Sequence, residues 1–216
     1  MKAGVCAILL AAGESKRMGQ YNKLALPVAG GVPLLQRTAQ TLLASKLDEV
    51  VVVLGHEQQR ARELLDGLPL HIVVNERYQE GQMTSVYRGM QALQKTCYGV
   101  MVCLADQPLL EPHDINLLVD YFLNRPAAIL VPTYCGRRGN PIIIAAQHRD
   151  DILKGERNLG CKRFIEKNPE LVTTMEFAND HVVFDLDTAE DYARLQSRLA
   201  DAPLDDDEKQ AAGGGN

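Results

Sequence analysis

Basic residues are in short supply: Lys and Arg number 23 against 28 Asp and Glu, a formal net charge of −5, with a pI near 5.6. That balance excludes a surface built for a nucleic-acid backbone and leaves room only for a small anion in a locally basic pocket. No apolar run approaches the ~18 residues of a membrane span. The opening Met1-Lys2-Ala3-Gly4 leads straight into an apolar segment, without room for a secretory signal. A soluble, cytoplasmic protein without nucleic-acid or membrane partners is expected. The five cysteines, at 6, 97, 103, 135 and 161, form no C-x-x-C and are odd in number, which fits reduced thiols better than a disulfide framework or a zinc site. Cys6 and Cys103 lie inside apolar runs and read as small core residues. The histidines, at 56, 71, 113, 148 and 181, lack metal-binding spacing and read as surface or structural. Ser15 has no evident base partner, which disfavours triad hydrolysis.

Two nucleotide motifs are also missing. Gly13 and Gly19 are separated by five residues and Gln20 follows, so the G-x-x-x-x-G-K-[ST] phosphate loop is absent. There is no G-x-G-x-x-G, and Glu57 lies too far along to meet the ribose of a dinucleotide.

What is present is a strand that ends in a loop suited to an anion. Residues 5–11, VCAILLA, read as a strand buried on both faces. It empties into a loop carrying Lys16, Arg17 and Lys23. Small residues at Ala11, Ala12 and Gly13 let backbone N–H groups approach an anion, while the cations supply opposing charge.

Downstream, apolar segments and turn signals alternate. A helix is expected from Pro33 to about residue 45, with Leu35, Ala39, Leu42 and Leu43 on one face. A strand over 48–54 ends at Gly55, a charged helix runs to about 66, and a third strand covers 70–74. The polar loop 75–84 precedes a helix with Val86, Met90 and Leu93 inward. A strand over 100–104, a helix from Pro112 and a strand over 127–131 follow. This alternation predicts an α/β chain: a three-layer, Rossmann-like α/β/α domain over residues 1–200 with a mostly parallel sheet. The glycine-rich basic turn 135–141 suggests a small substrate-facing insertion, and 150–168 reads as short helices. A last strand is expected over 182–186, then a helix opened by the capping box Thr188-Ala189-Glu190-Asp191. Residues 201–216, acidic then glycine-rich, read as a disordered tail.

Carboxylates stand at two expected strand ends, Asp106 after 100–104 and Asp185 with Asp187 after 182–186. That edge is where an open α/β sheet binds ligands. Mg²⁺ on substrate phosphates takes one or two protein carboxylates, so one Asp from each segment suffices. Asp185 and Asp187, two apart on a strand, would share a face, and Asp187, beside Thr188, is the better candidate. Asp in such positions also serves as a turn former or helix cap. The assembled chemistry is transfer at phosphorus, with cations holding a triphosphate and no protein nucleophile.

The ordered run Leu10-Ala11-Ala12-Gly13-Glu14-Ser15-Lys16-Arg17-Met18-Gly19, followed by Lys23 and Pro27, resembles the signature of MobA-like nucleotidyltransferases of the molybdenum cofactor type. It is most similar to the molybdenum cofactor cytidylyltransferases, and the resemblance extends to about residue 199. It implies that Leu10 to Gly13 contact the nucleotide, that Arg17 holds phosphate and that Lys23 neutralises charge as pyrophosphate departs. Gly81-Gln82-Met83-Thr84-Ser85 resembles the family's G-x-x-x-S loop, which assigns Gly81 and Ser85 to the base end. Ala105-Asp106-Gln107-Pro108 is similar to its G-D-x-P metal motif with alanine for glycine, and Asp185-Leu186-Asp187-Thr188 to its D-x-D-T. Arg138-Gly139-Asn140-Pro141 resembles an acceptor-side element. Ala12, where guanylyltransferases carry glycine, would narrow the base pocket toward a pyrimidine.

The implied reaction transfers CMP from CTP to molybdenum-bound molybdopterin, with Mg²⁺ or Mn²⁺, in a monomer that serves a molybdoenzyme client. Two readings stay open beside it: transfer to another phosphorylated acceptor, such as a sugar or alcohol phosphate, and a nucleotide-binding maturation factor without turnover. An NAD-linked oxidoreductase lacks its glycine spacing.

Overall fold

The computed structural model describes residues 4–18, 22–125, 127–153, 165 and 168–201. Residues 202–216 of the expected tail, Gly19, Cys161 and most of the expected short helices over 150–168 lie outside those residues, while Asp201, placed in the tail by the sequence, ends the last helix. In chain order the elements are β1 (Val5–Ala11), α1 (Leu34–Leu43), β2 (Glu49–Leu54), α2 (Gln58–Leu64), β3 (His71–Val74), α3 (Gln82–Ala92), β4 (Gly99–Leu104), α4 (Pro112–Asn124), β5 (Ile129–Tyr134), β6 (Arg137–Arg138), β7 (Ile142–Ala145), α5 (Arg149–Leu153), β8 (Val172–Glu176) and α6 (Ala189–Asp201).

All seven residues of β1 are buried, because each can be covered without stranding a strongly polar group. Side chains alternate across a strand, and here the alternation sorts them into two layers. Val5, Ala7, Leu9 and Ala11 join a core with Leu35, Ala39 and Leu42 of α1 and Ile115, Leu118 and Phe122 of α4. Cys6, Ile8 and Leu10 join the other, with Val86 and Met90 of α3. Each large side chain fully buried in this way contributes roughly 1.5–3 kcal/mol relative to exposure. Close approach of α3 to β1 depends on Gly89, where an added Cβ would fall 2.3 Å from Ile8 Cγ2.

The sheet order is β3-β2-β1-β4-β7-β5-β6, with β8 beside β5. β3, β2, β1 and β4 run parallel, while β7 is antiparallel to both β4 and β5. The expected three-layer, mostly parallel architecture is therefore present. After β1 the chain builds outward through β2 and β3, then returns to place β4 on the other side of β1. The order reverses there, and the crevice at the carboxyl ends of β1 and β4 is where open α/β sheets bind ligands.

Two segments depart from expectation. Residues 182–186 do not form a strand: His181–Val183 is a 3₁₀ turn and the chain then runs extended outside the sheet. Its polar groups are engaged elsewhere. Val182 O accepts from Asn140 N at 2.8 Å and Gln107 Nε2 at 3.1 Å, and Leu186 N donates to Asp106 O at 2.8 Å. Valine density there reflects burial beneath the helices, not a ladder. The strand β8 comes from the half-buried run Val172–Glu176, whose parallel partner β5 lies some 40 residues earlier. The capping box forms as expected: Asp191 N donates to Thr188 Oγ1 at 3.1 Å and Thr188 N to Asp191 Oδ2 at 2.8 Å.

Candidate active site

The crevice between β1 and β4 opens into a cavity of about 320 Å³. Leu10, Ala11, Ala12, Gly13, Arg17, Lys23, Ser85, Asp106 and Asp187 all line it, so the fold gathers most of the expected site residues from five separate stretches of chain. An added Cβ at Gly13 would meet no protein atom within 4 Å. The room there belongs to the cavity, and a side chain would intrude on a ligand rather than on the fold.

Lys23 is the electrostatic centre. It sits in a 3₁₀ turn, Lys23–Ala25, whose preceding Asn22 caps Leu24 N through Oδ1 at 3.0 Å. Its ammonium donates to Asp106 Oδ2 at 2.7 Å and to Asp187 Oδ1 at 3.0 Å. Burial opposes the Lys23 charge, but the two carboxylates more than offset it and raise the pKa above the ordinary lysine value, so Lys23 is a cation at neutral pH. Arg17 Nη1 lies 2.9 Å from Asp187 Oδ2 with its side chain 71% exposed, reaching over the mouth. Asp106 Oδ1 is buried and, among the described residues, has no hydrogen-bond partner.

Asp185 stands behind this group and is not among the residues lining the cavity. Its Oδ1 accepts from Gln107 Nε2 at 3.1 Å. Burial, then the negative charges of Asp106 and Asp187, push its pKa up to about 6. Because no strand forms over 182–186, the expected shared face of Asp185 and Asp187 does not exist. Asp187 meets the cations and Asp185 meets an amide.

At the other end, buried Asn75 donates through Nδ2 to Thr84 Oγ1 at 2.8 Å and Ser85 Oγ at 2.9 Å, and Arg77 N donates to its Oδ1 at 3.0 Å. With its oxygen thus accepting, Ser85 keeps a proton to donate into the cavity. Gly81 does not line the cavity. It turns the chain at φ 120° into α3, a conformation that favours glycine, and so aims Gln82 and Ser85 inward.

A second cavity, about 440 Å³, adjoins the first and shares Gln82 and Leu104 with it. Arg138, Gly139 and Asn140 line it, and the Asn140–Pro141 peptide is cis. At Gly139 an added Cβ would fall 2.2 Å from Val182 O, so this element seats directly on the segment that carries Asp185 and Asp187. Pro141 follows but does not line the cavity.

Several contributors went unnoticed in the sequence. Gly55 lets β2 approach the first loop, since a Cβ there would lie 2.8 Å from Ala12 Cβ and 2.9 Å from Ala12 O. Its only sequence signal is a glycine closing an apolar run. Asn75 and Tyr78 sit in the polar loop 75–84 at the carboxyl end of β3, where an open α/β sheet binds ligands, and Gln82 inside the quoted G-x-x-x-S element.

Residues 7–172 match the family model described as the MobA-like NTP transferase domain. The chain belongs to this family. Over 200 residues it is 33% identical to nicotine blue oxidoreductase of Paenarthrobacter nicotinovorans, an alignment that covers 88% of this chain and 96% of that protein. Identity to a probable molybdenum cofactor guanylyltransferase of Natronomonas pharaonis is 29% over 206 residues, covering 92% and 93%. The crystal structure of Rv0371c from Mycobacterium tuberculosis superposes with a TM-score of 0.80 at 23% identity, covering 91% of this chain and all of that one. This last likeness bears on the fold. The family is one of nucleotidyltransferases, and this MobA-like member is a nucleotidyltransferase with molybdenum cofactor homologues. Among the described residues no helix is long and apolar enough to cross a membrane.

Proposed function

We propose that this MobA-like transferase moves CMP from CTP to the phosphate of molybdenum-bound molybdopterin, giving molybdopterin cytosine dinucleotide and pyrophosphate. The observation that carries the reading is Lys23 bridging Asp106 and Asp187 on the floor of the crevice, with a second cavity of about 440 Å³ joined to it. An oxygen of the acceptor phosphate attacks the α-phosphorus, the bond from that phosphorus to the bridging oxygen breaks, and pyrophosphate leaves with the electron pair. Arg17 and Lys23 offset the charge of the triphosphate and of the departing pyrophosphate. Ser85 donates at the base end. Ala12 narrows that end toward a pyrimidine, and a methyl-sized difference of this kind is worth about 1–3 kcal/mol. Arg138, Gly139 and Asn140 line the acceptor side, with Pro141 next in the chain.

A divalent cation, Mg²⁺ or Mn²⁺, fits the residues present. Asp106 Oδ1 is a buried carboxylate oxygen with no partner among the described residues, and Mg²⁺ needs few protein carboxylates when phosphates and water complete its shell. Among the described residues no group of three or more His, Cys, Asp or Glu could hold a metal, so Asp106 and Asp187 would hold it with the substrate, Asp185 standing beside them. When bound, the ion neutralises charge on phosphate oxygens. Rv0371c is also known as a manganese complex. The enzyme would act as a cytoplasmic monomer and hand its product to a molybdoenzyme.

The test is pyrophosphate release with molybdenum-loaded molybdopterin and Mg²⁺, comparing CTP, GTP, ATP and UTP. CTP-selective, pterin-dependent release is expected. Preference for GTP would sink the Ala12 argument, release only with a sugar or alcohol phosphate would replace the acceptor, and nucleotide binding without release would leave a maturation factor. The 33% identical oxidoreductase motivates one further arm. A nicotinamide-dependent absorbance change, without pyrophosphate release, would replace transfer by redox chemistry.

A further inference from the structure

Among the described residues the two cavities share two lining residues, Gln82 and Leu104. Leu104 closes β4 and offers no polar atom. Gln82 is the first residue of α3, is exposed, and among the described residues its carboxamide has no protein partner. No side chain caps α3 at Gly81, so the electropositive end of an 11-residue helix opens on the same point. A long, uncharged donor and acceptor thus stands unoccupied where a group must cross from one cavity to the other.

We infer that Gln82 is the residue that holds the α-phosphate of the nucleotide against the incoming acceptor phosphate, its Nε2–H donating to a non-bridging phosphoryl oxygen at the junction. This rests on the transferase reading above. Attack adds negative charge to those oxygens as the acceptor oxygen–phosphorus bond forms and the bond to pyrophosphate breaks, so a neutral donor gains strength during the step without repelling either phosphate. Neutrality matters because two anions must meet there. A carboxylate of the same length would repel both, and an apolar residue would leave the charge unmet. The acceptor cavity beyond Gln82 is lined largely by apolar side chains such as Val86, Val102, Val131 and Ile142, with Asn140 its other polar side chain and Arg138 its charged one.

The experiment compares wild type, Gln82→Ala and Gln82→Glu in CTP binding without acceptor and in steady-state transfer to molybdenum-loaded molybdopterin. Gln82→Ala is expected to bind CTP within about threefold of wild type and Gln82→Glu more weakly, because its carboxylate repels the α-phosphate; unchanged thermal unfolding shows that both fold. Gln82→Ala should lower kcat roughly 10- to 100-fold, the range for one hydrogen bond to a charged group, with KM for either substrate little changed. Gln82→Glu should fall below Gln82→Ala. A kcat for Gln82→Ala within threefold of wild type, or a Glu variant as active as the Ala variant, overturns the inference while leaving the transferase reading intact. If wild type transfers only to another phosphate ester, the pterin reading falls and the same three-way comparison on that ester decides Gln82. Absence of pyrophosphate release by wild type with every phosphate ester overturns both.

Discussion

Two cation–carboxylate contacts act on the same carboxyl-terminal segment, and they are built oppositely. At the crevice, Lys23 holds Asp106 and Asp187 while Asp106 Oδ1 stays buried without a partner among the described residues. Some 70 residues apart in sequence, His181 Nδ1 and Asp114 Oδ2 meet at 2.8 Å, and the same Oδ2 accepts from Glu111 N at 3.0 Å in the capping box of α4. The Asp114 side chain is 3% exposed against 20% for Asp106. One cluster faces a cavity with bonding capacity left over, and the other is closed and satisfied. Of the five buried side-chain atoms without a partner among the described residues, Asp106 Oδ1 belongs to a residue lining the crevice cavity; leaving such an atom unmet is costly and a ligand there can complete it, which sets the open cluster apart from the closed one.

The largest effect should come from the open cluster. Asp106→Asn is expected to lower kcat by about 10² to 10³, the scale for losing one preorganised charge-stabilising group, with unfolding free energy shifted by no more than ~1 kcal/mol. Turnover near wild type at saturating Mg²⁺ would break the comparison. Next comes the closed cluster. Removing one partner of a fully buried ion pair costs about 3–5 kcal/mol, and the 23% exposure of His181 discounts this to roughly 2–3 kcal/mol for Asp114→Ala. Urea unfolding measures that loss, and kcat of the folded variant should stay within about threefold. A hundredfold fall in kcat at unchanged stability would assign Asp114 to the chemistry instead.

The pH dependence sharpens the same contrast. A hydrogen bond to Asp114 raises the His181 pKa above its ordinary 6.5. Burial alone would raise that of Asp114, yet His181 and Glu111 N hold it below 3.8. For a raised histidine the stabilisation is complete below 6.5 and fades as pH climbs through the folded value. For the lowered aspartate it is present above 3.8 and fades as pH drops through the folded value. The difference in Tm between wild type and His181→Gln should therefore be largest near pH 5–6 and shrink toward pH 9. A constant gap would mean that packing rather than charge sets the contribution of His181.

Legibility followed range. β1 and its loop could be read directly, since a fully buried central strand needs an unbroken apolar run and an anion loop needs small residues beside cations. The Thr188–Asp191 capping box was equally plain, being a bargain struck within four residues. Asp106 and Asp187 were found because each closes an apolar stretch. What could not be read depends on partners far along the chain. The valines at 182–183 looked like a strand, but Asn140 N and Gln107 Nε2 take Val182 O. Gly55 gains meaning only beside Ala12, and Asp114 only beside His181. Gln82 stood inside a quoted motif, yet that it borders two cavities needed β4 and β7 laid against α3.

The smallest effect is expected at the outer edge of the open cluster, and it tests whether exposure there signals irrelevance or readiness. Arg17 pairs with Asp187 while its side chain is 71% exposed, and a solvent-screened pair of this kind adds about 0–1 kcal/mol to stability. Arg17→Ala should thus leave unfolding almost unmoved. Arg17 nevertheless lines the crevice cavity, where its guanidinium can exchange Asp187 for phosphate oxygens, a stronger charge-assisted partner. Losing that contact should weaken CTP binding roughly tenfold, the low end for a hydrogen bond to a charged group, and flatten its dependence on ionic strength. Arg17→Lys keeps the charge without the planar fork and should restore part of the affinity. If neither variant changes nucleotide binding, Arg17 serves only to hold Asp187, and the working cluster shrinks to Lys23 and its two carboxylates.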